Sequence, residues 1–137
     1  MLYNTKIALV LHQDLPNWQK LNVAAFLASA IAIQFPETHG QPLVSASGTA
    51  YLPFLKLPIR VYQAENVVSL QRARSRAHER GLALAIYTEP LFATKGEAEN
   101  VAVIAEYTDE AQPLVGVAVY GDSKLVNKAL DGLKLHE

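Results

Sequence analysis

The sequence predicts an α/β domain: a small three-layer sandwich in which a mixed, mainly parallel sheet carries helices on both faces. Three observations predict it. Apolar runs at residues 7–11 and 82–87 alternate with segments of helical periodicity, the order that β-α-β construction produces. Those runs are continuous rather than alternating, as in strands covered on both faces. The chain has 137 residues, half of them apolar and 18% charged, which fits one domain spanning 1–137 around a single core.

Each element follows from its residues. Residues 6–11 form the first strand. Asp14, Leu15, Pro16 and Asn17 make a turn, with Asn17 placed to cap a long helix from Trp18 to about Phe35, which Pro36 and Gly40 end. That helix is apolar nearly all round, so burial on most sides is expected. Its most mixed stripe is Asn22, Phe26, Ser29 and Ile33, either packed under another element or making a subunit contact.

Short extended segments at 43–47 and 51–55 flank a turn at Gly48, and Pro53 and Pro58 suit a sheet edge. Residues 59–62 read as a strand. Asn66 can cap a second helix to Arg80 with Val67, Leu70, Ala73 and Ala77 inward, stopped by Gly81. Another strand follows at 82–87. Thr94 and Glu97 have capping-box spacing before a helix carrying Ala98, Val101, Ile104 and Ala105. Residues 114–120 are the last strand, and Asp122 or Ser123 caps a final helix ending near Gly132.

Composition removes several function classes. The formal net charge is −1, so no global field draws the protein to nucleic acid or an anionic membrane. The basic run Arg72, Arg74, Arg76, His78 and Arg80 reads as a solvated helix face whose late cations suit the helix dipole. Nucleic acid is therefore not an expected partner. The chain contains no cysteine, which excludes disulfides and thiolate chemistry and fits a reducing, cytoplasmic setting. No secretory leader is read, and the longest apolar segment, 23–33, is shorter than the ~20 residues a bilayer span needs. The histidines lack metal-ligand spacing, and no glycine-rich phosphate loop is present, so neither metal nor cofactor is expected.

In open α/β sheets, ligands bind beyond the carboxyl ends of strands. The first strand ends in His12, Gln13 and Asp14, followed by Trp18, Lys20 and Asn22 at the helix start; the strand at 82–87 ends in Tyr87, Thr88 and Glu89. If the two ends meet, they form one crevice for a polar or anionic small molecule. Lys20 supplies charge, Asn22 and Thr88 supply hydrogen bonds, Trp18 and Tyr87 supply walls, and His12 and Asp14 lie at its rim. The same set suits hydrolysis of an ester or amide, with Lys20 stabilising an oxyanion and Glu89 or His12 positioning water.

The segment from Asp14 through Trp18, Lys20 and Asn22 to Ser29 resembles the opening motif of the domain-of-unknown-function family two-thousand. Tyr87-Thr88-Glu89-Pro90-Leu91-Phe92-Ala93-Thr94 resembles its second motif, and the tail from Val115 to His136 its third. The resemblance implies a fold similar to the type II peptidyl-tRNA hydrolases, often dimeric, with Lys20 where those enzymes place a lysine. The chain departs from them where they carry a Gln and a Ser-His pair, since residues 24–27 are apolar. It also has Thr88-Glu89-Pro90 where they have Asp-Ala-Gly. Three readings follow: a binding module for a small polar or anionic ligand, a hydrolase related to those enzymes, or a structural homodimer.

Overall fold

A computed structural model describes residues 3–137. The elements run β1 (Thr5–His12), α1 (Asn17–Gln34), β2 (Leu43–Val44), β3 (Ala50–Tyr51), β4 (Ile59–Ala64), α2 (Val67–Glu79), β5 (Ala83–Thr88), α3 (Glu97–Ala105), β6 (Leu114–Asp122), α4 (Ser123–Ala129) and β7 (Lys134–Leu135). Short 3-10 turns occupy Pro36–Thr38, Glu89–Ala93 and Asp109–Ala111. Five strands form one sheet in the order β5-β6-β1-β4-β7, while β2 and β3 form a separate hairpin.

The sheet is mixed, but it is not mainly parallel. Among the described residues only β1 and β4 pair in parallel; β6 runs antiparallel to both β1 and β5, and β7 antiparallel to β4. The helical crossovers give β1, β4 and β5 one direction, as β-α-β reasoning expects. β6 then enters between β5 and β1 in the opposite direction. A continuous apolar run reports cover on both faces and carries no information about strand direction, so the sequence pattern is the same either way.

Two apolar layers lie on either side of the sheet. On one face Val23, Leu27 and Ile31 of α1 pack on Ile7, Leu9, Leu11, Ala118 and Tyr120. Leu70, Ala73 and Ala77 of α2, with Val126, Ala129 and Leu130 beyond it, pack on Ala8, Val10, Val117 and Val119 on the other. Each fully buried aliphatic side chain contributes about 1.5–3 kcal/mol relative to exposure. Gly116 in β6 lets α1 approach closely: a Cβ there would lie 2.7 Å from Val23 Cγ1 and 3.1 Å from Leu27 Cδ1.

Several local expectations change. Asn66 does cap α2, accepting from the Ser69 N–H at 2.9 Å, and Asp122 caps α4 through the Lys124 and Leu125 N–H groups. Asn17 instead lies inside α1, whose N-cap is Pro16. The Thr94–Glu97 box is not formed: Glu99 accepts from the Lys95 N–H, and α3 starts after Gly96 with no side-chain cap. Val67 is exposed rather than inward. Most consequential, α1 is not buried on most sides. Its buried stripe is Val23, Leu27 and Ile31, and Leu21, Phe26 and Ile33 face outward.

Candidate functional site

Trp18, Asn22 and Phe26 stand at i, i+4 and i+8 on α1, so helical geometry stacks them on one stripe beside the edge strand β5. Tyr87 stands next to last in β5, and the 3-10 turn that follows the strand folds Leu91 and Phe92 back toward that stripe. Thr94, Lys95 and the α3 residues Asn100, Val101 and Ile104 close the far side. Together they enclose a cleft of about 830 Å³. Its aromatic rings form a connected set: Tyr87 to Phe92 at 5.1 Å between centroids, Phe26 to Tyr87 at 6.0 Å, and Trp18 edge-on to Phe92 at 6.0 Å. These separations lie in the attractive range for offset and T-shaped ring pairs.

The polar groups sit on the α3 side and at the rim. Thr94 Oγ1 lies 2.9 Å from the Leu91 carbonyl and also contacts Asn100 Oδ1, tying the loop to the first turns of α3. The buried Gln112 holds the other end of α3, donating from Nε2 to the carbonyls of Ile104 at 2.7 Å and Tyr107 at 3.1 Å. No residue of α3 itself is buried, so these bonds do much of the positioning. Burial pushes the Tyr87 phenol above its ordinary value, which keeps it protonated as a neutral wall. Among the described residues Lys95 is the one cation on the cleft, and no Asp, Glu or His lines it.

The structure gathers part of the expected set and separates the rest. Trp18, Asn22 and Tyr87 line the cleft; Lys20, His12, Asp14, Thr88 and Glu89 do not. Residues two apart on a helix point to nearly opposite sides, so Lys20 cannot share a face with Asn22 and lies half-buried on another flank of α1. The cleft lies at the edge strand and takes both Ile86 and Tyr87 from β5, but not Thr88. Thr88 is buried at a register irregularity in the β5–β6 pairing. Glu89 is exposed in the 3-10 turn. His12 accepts from the Asp14 N–H at 3.1 Å, holding the turn after β1. The two strand ends lie on the same edge of the sheet, but β6 stands between them. A second, polar depression of about 240 Å³ involves Gln13, Gln63, Arg72 and Arg76 at a different place on the surface. Among the described residues no group of three His, Asp or Glu side chains is placed to hold a metal, and no helix is long and apolar enough to cross a membrane.

Sequence reasoning missed Phe92, Lys95, Asn100 and Val101 as cleft residues. A signal was present: Val101 and Ile104 repeat at helical spacing in a short helix with little else to bury, and such a stripe must face something. The sequence gives no register for that helix against β5, and so no cleft.

Fold and cleft together define a three-layer α/β domain with an aromatic cleft at the open edge of its sheet. The chain belongs to the protein family of unknown function DUF2000, whose model matches residues 5–137. It is similar to a solved protein of unknown function from Agrobacterium tumefaciens strain C58, with 38% identity and a TM-score of 0.94. That match covers 99% of this chain and 100% of the other. No curated protein matches the chain.

Proposed function

We propose that this protein binds a small molecule with an apolar, planar or compact body and one anionic or hydrogen-bonding group in the cleft between α1, β5 and α3. One observation carries the reading: four aromatic rings and four aliphatic side chains, Ile86, Leu91, Val101 and Ile104, converge on a roomy cleft whose polar groups are few and, Asn22 apart, sit on the α3 side, the composition of a ligand pocket. Lys95 answers an anionic group, and Asn22, Thr94 and Asn100 supply hydrogen bonds. The ligand expected from sequence was polar; the walls favour one that is mostly apolar.

The lining favours binding over hydrolysis. General acid–base catalysis needs a titratable group within reach of the reacting atom. The titratable groups on the cleft are Tyr87, whose phenol burial keeps protonated, and Lys95; among the described residues no carboxylate or imidazole lines it, and Lys20 and Glu89 lie off its walls. A peptidyl-tRNA hydrolase-like reaction therefore draws no support from this cleft. The test is a thermal-shift screen of small carboxylates, with phenylacetate and octanoate as first probes. Stabilisation that Lys95→Ala weakens and Lys20→Ala leaves intact supports the reading. Loss on Lys20→Ala with none on Lys95→Ala refutes it.

A second reading, homodimerisation, is favoured by the outer face of α1. From Leu21 to Gln34 the helix carries no charge, yet Leu21, Phe26 and Ile33 are exposed. Exposed Ala25 lies among them, with Asn22 and Ser29 as the polar interruptions, and large apolar surface of this kind marks interaction sites. Light scattering at micromolar concentration gives twice 15.0 kDa if the chain pairs and 15.0 kDa if it does not.

A further inference from the structure

Every residue from 41 to 54 is exposed. This stretch forms the β2–β3 hairpin with its flanks, and it carries Leu43, Val44, Tyr51, Leu52 and Phe54, with Leu52 at 85% and Phe54 at 73% exposure. It contains no charged residue. Its backbone is nonetheless hydrogen-bonded at both ends. The tip is closed by the Gly48 N–H to Ser45 carbonyl bond at 2.9 Å, with Gly48 at φ 86°, a value that favours glycine. The root is clamped by the Gly40 N–H to the Phe54 carbonyl and the Lys56 N–H to the Thr38 carbonyl, both at 2.8 Å. A Cβ at Gly40 would lie 2.6 Å from the Phe54 carbonyl oxygen, so that clamp depends on glycine. A two-stranded hairpin is marginal in water on its own. The arm is uncharged and rich in large apolar side chains, and its own body leaves them largely uncovered.

We propose that this arm docks on the outer face of α1 in a second copy of the chain and completes the wall of that copy's cleft; the second part rests on the cleft being a ligand site. Three features select a second copy as the occupant. Both surfaces are apolar and free of charge, so they match each other and offer nothing to a charged partner. Leu21, Phe26, Ile33, Leu43, Val44, Tyr51, Leu52 and Phe54 are each exposed by 45% or more. With aromatic side chains worth ~150–250 Å² each, their combined area approaches the ~800 Å² per partner of a standard interface. The geometry also closes. α1 is about 27 Å long at 1.5 Å per residue, and the arm leaves the chain just past its C-terminal end. A two-fold axis near Ser29 that sets two α1 helices antiparallel brings the arm of one chain to the Trp18–Asn22 end of the other, beside the cleft. The contact is isologous and closes as a dimer.

The absence of cysteine makes the test clean. Sedimentation of the full chain from 1 to 50 µM should show a dimer. Ser29→Cys should give a disulfide-linked dimer on mild oxidation, and Leu52→Cys combined with Leu21→Cys should cross-link between chains. Phe54→Asp should give a monomer with an unchanged far-ultraviolet spectrum; if that variant fails to fold, the Cys pairs decide the matter. A wild-type monomer at 50 µM, including one that binds neutral phospholipid vesicles through the arm, overturns the proposal. So does a dimer that survives Phe54→Asp and forms neither cross-link. The two readings separate in the variants. Trp18→Ala that abolishes phenylacetate binding while the dimer persists supports the cleft. A folded Phe54→Asp monomer that binds phenylacetate at least tenfold more weakly supports the shared wall, and one that binds it unchanged removes that part alone.

Discussion

Gly116→Ala tests how the cleft is positioned. Gly116 sits mid-strand in β6, paired with Leu11 and Tyr87, beneath the buried stripe of α1. A methyl group there would meet Val23 Cγ1 at 2.7 Å, Leu27 Cδ1 at 3.1 Å and the Val10 carbonyl oxygen at 3.3 Å. Carbon atoms prefer separations of about 3.5–4.0 Å, so α1 must lift by roughly 1 Å or Val23 must leave its rotamer. Val23 is fully buried, and β-branched residues in helices have one strongly preferred χ1, which makes the second route costly. Overpacking of this kind costs about 1–3 kcal/mol, and Val23→Ala alone, by loss of two methyl groups, about 2 kcal/mol. If the clash is with Val23, the double variant should lose only about 2–3 kcal/mol rather than the additive total of about 4. That is a coupling of at least about 1 kcal/mol between contacting sites. Urea denaturation with constant m measures it. Additivity within about 0.5 kcal/mol, or a Gly116→Ala cost below that figure, would show that α1 does not rest on Gly116 and would refute the reasoning.

Other predictions draw on single contacts. Gln112→Leu removes both donors that hold the C-terminal end of α3, so hydrogen exchange should accelerate across 97–107, with a global loss of about 1–3 kcal/mol in urea. Asp122→Ala removes the α4 cap and should cost about 1 kcal/mol in the same assay, while Asp122→Asn, which keeps a capping oxygen, should cost less. Burial pushes the phenols of Tyr87 and Tyr120 above the ordinary value of 10.0. The native state therefore resists ionisation that the unfolded chain accepts. This contribution is fully present below pH 10 and is lost as pH rises through the folded-state values. Tyr87→Phe should flatten the alkaline limb of a stability–pH curve relative to wild type.

The layers were legible because they depend on periodicity. The strand at 82–87, the caps at Asn66 and Asp122 and the stop at Gly81 follow from local chemistry that tertiary context did not override. Strand direction was not legible, because β6 is apolar whichever way it runs. Trp18, Asn22 and Tyr87 were found at the expected ends of their elements, but Lys20 and Thr88 were grouped with them by closeness in sequence. Helical geometry turns Lys20 away from Asn22, and Thr88 is buried where the β5–β6 register shifts. The walls supplied by Phe92 and α3 depend on how a lightly packed helix sits against an edge strand, which no local pattern encodes. The uniform apolarity of α1 was read as burial within one chain; the outward face of Leu21, Phe26 and Ile33 instead points beyond it.

Trp18 is the only tryptophan in the chain and stands 6.0 Å from Phe92 on the cleft, so its emission reports directly on the site. Titration with octanoate, followed at Trp18, should give a saturable change that Lys95→Ala weakens and Lys20→Ala does not alter. A response that fails to saturate, or one that Lys20→Ala abolishes while Lys95→Ala leaves it intact, would contradict a ligand site in this cleft.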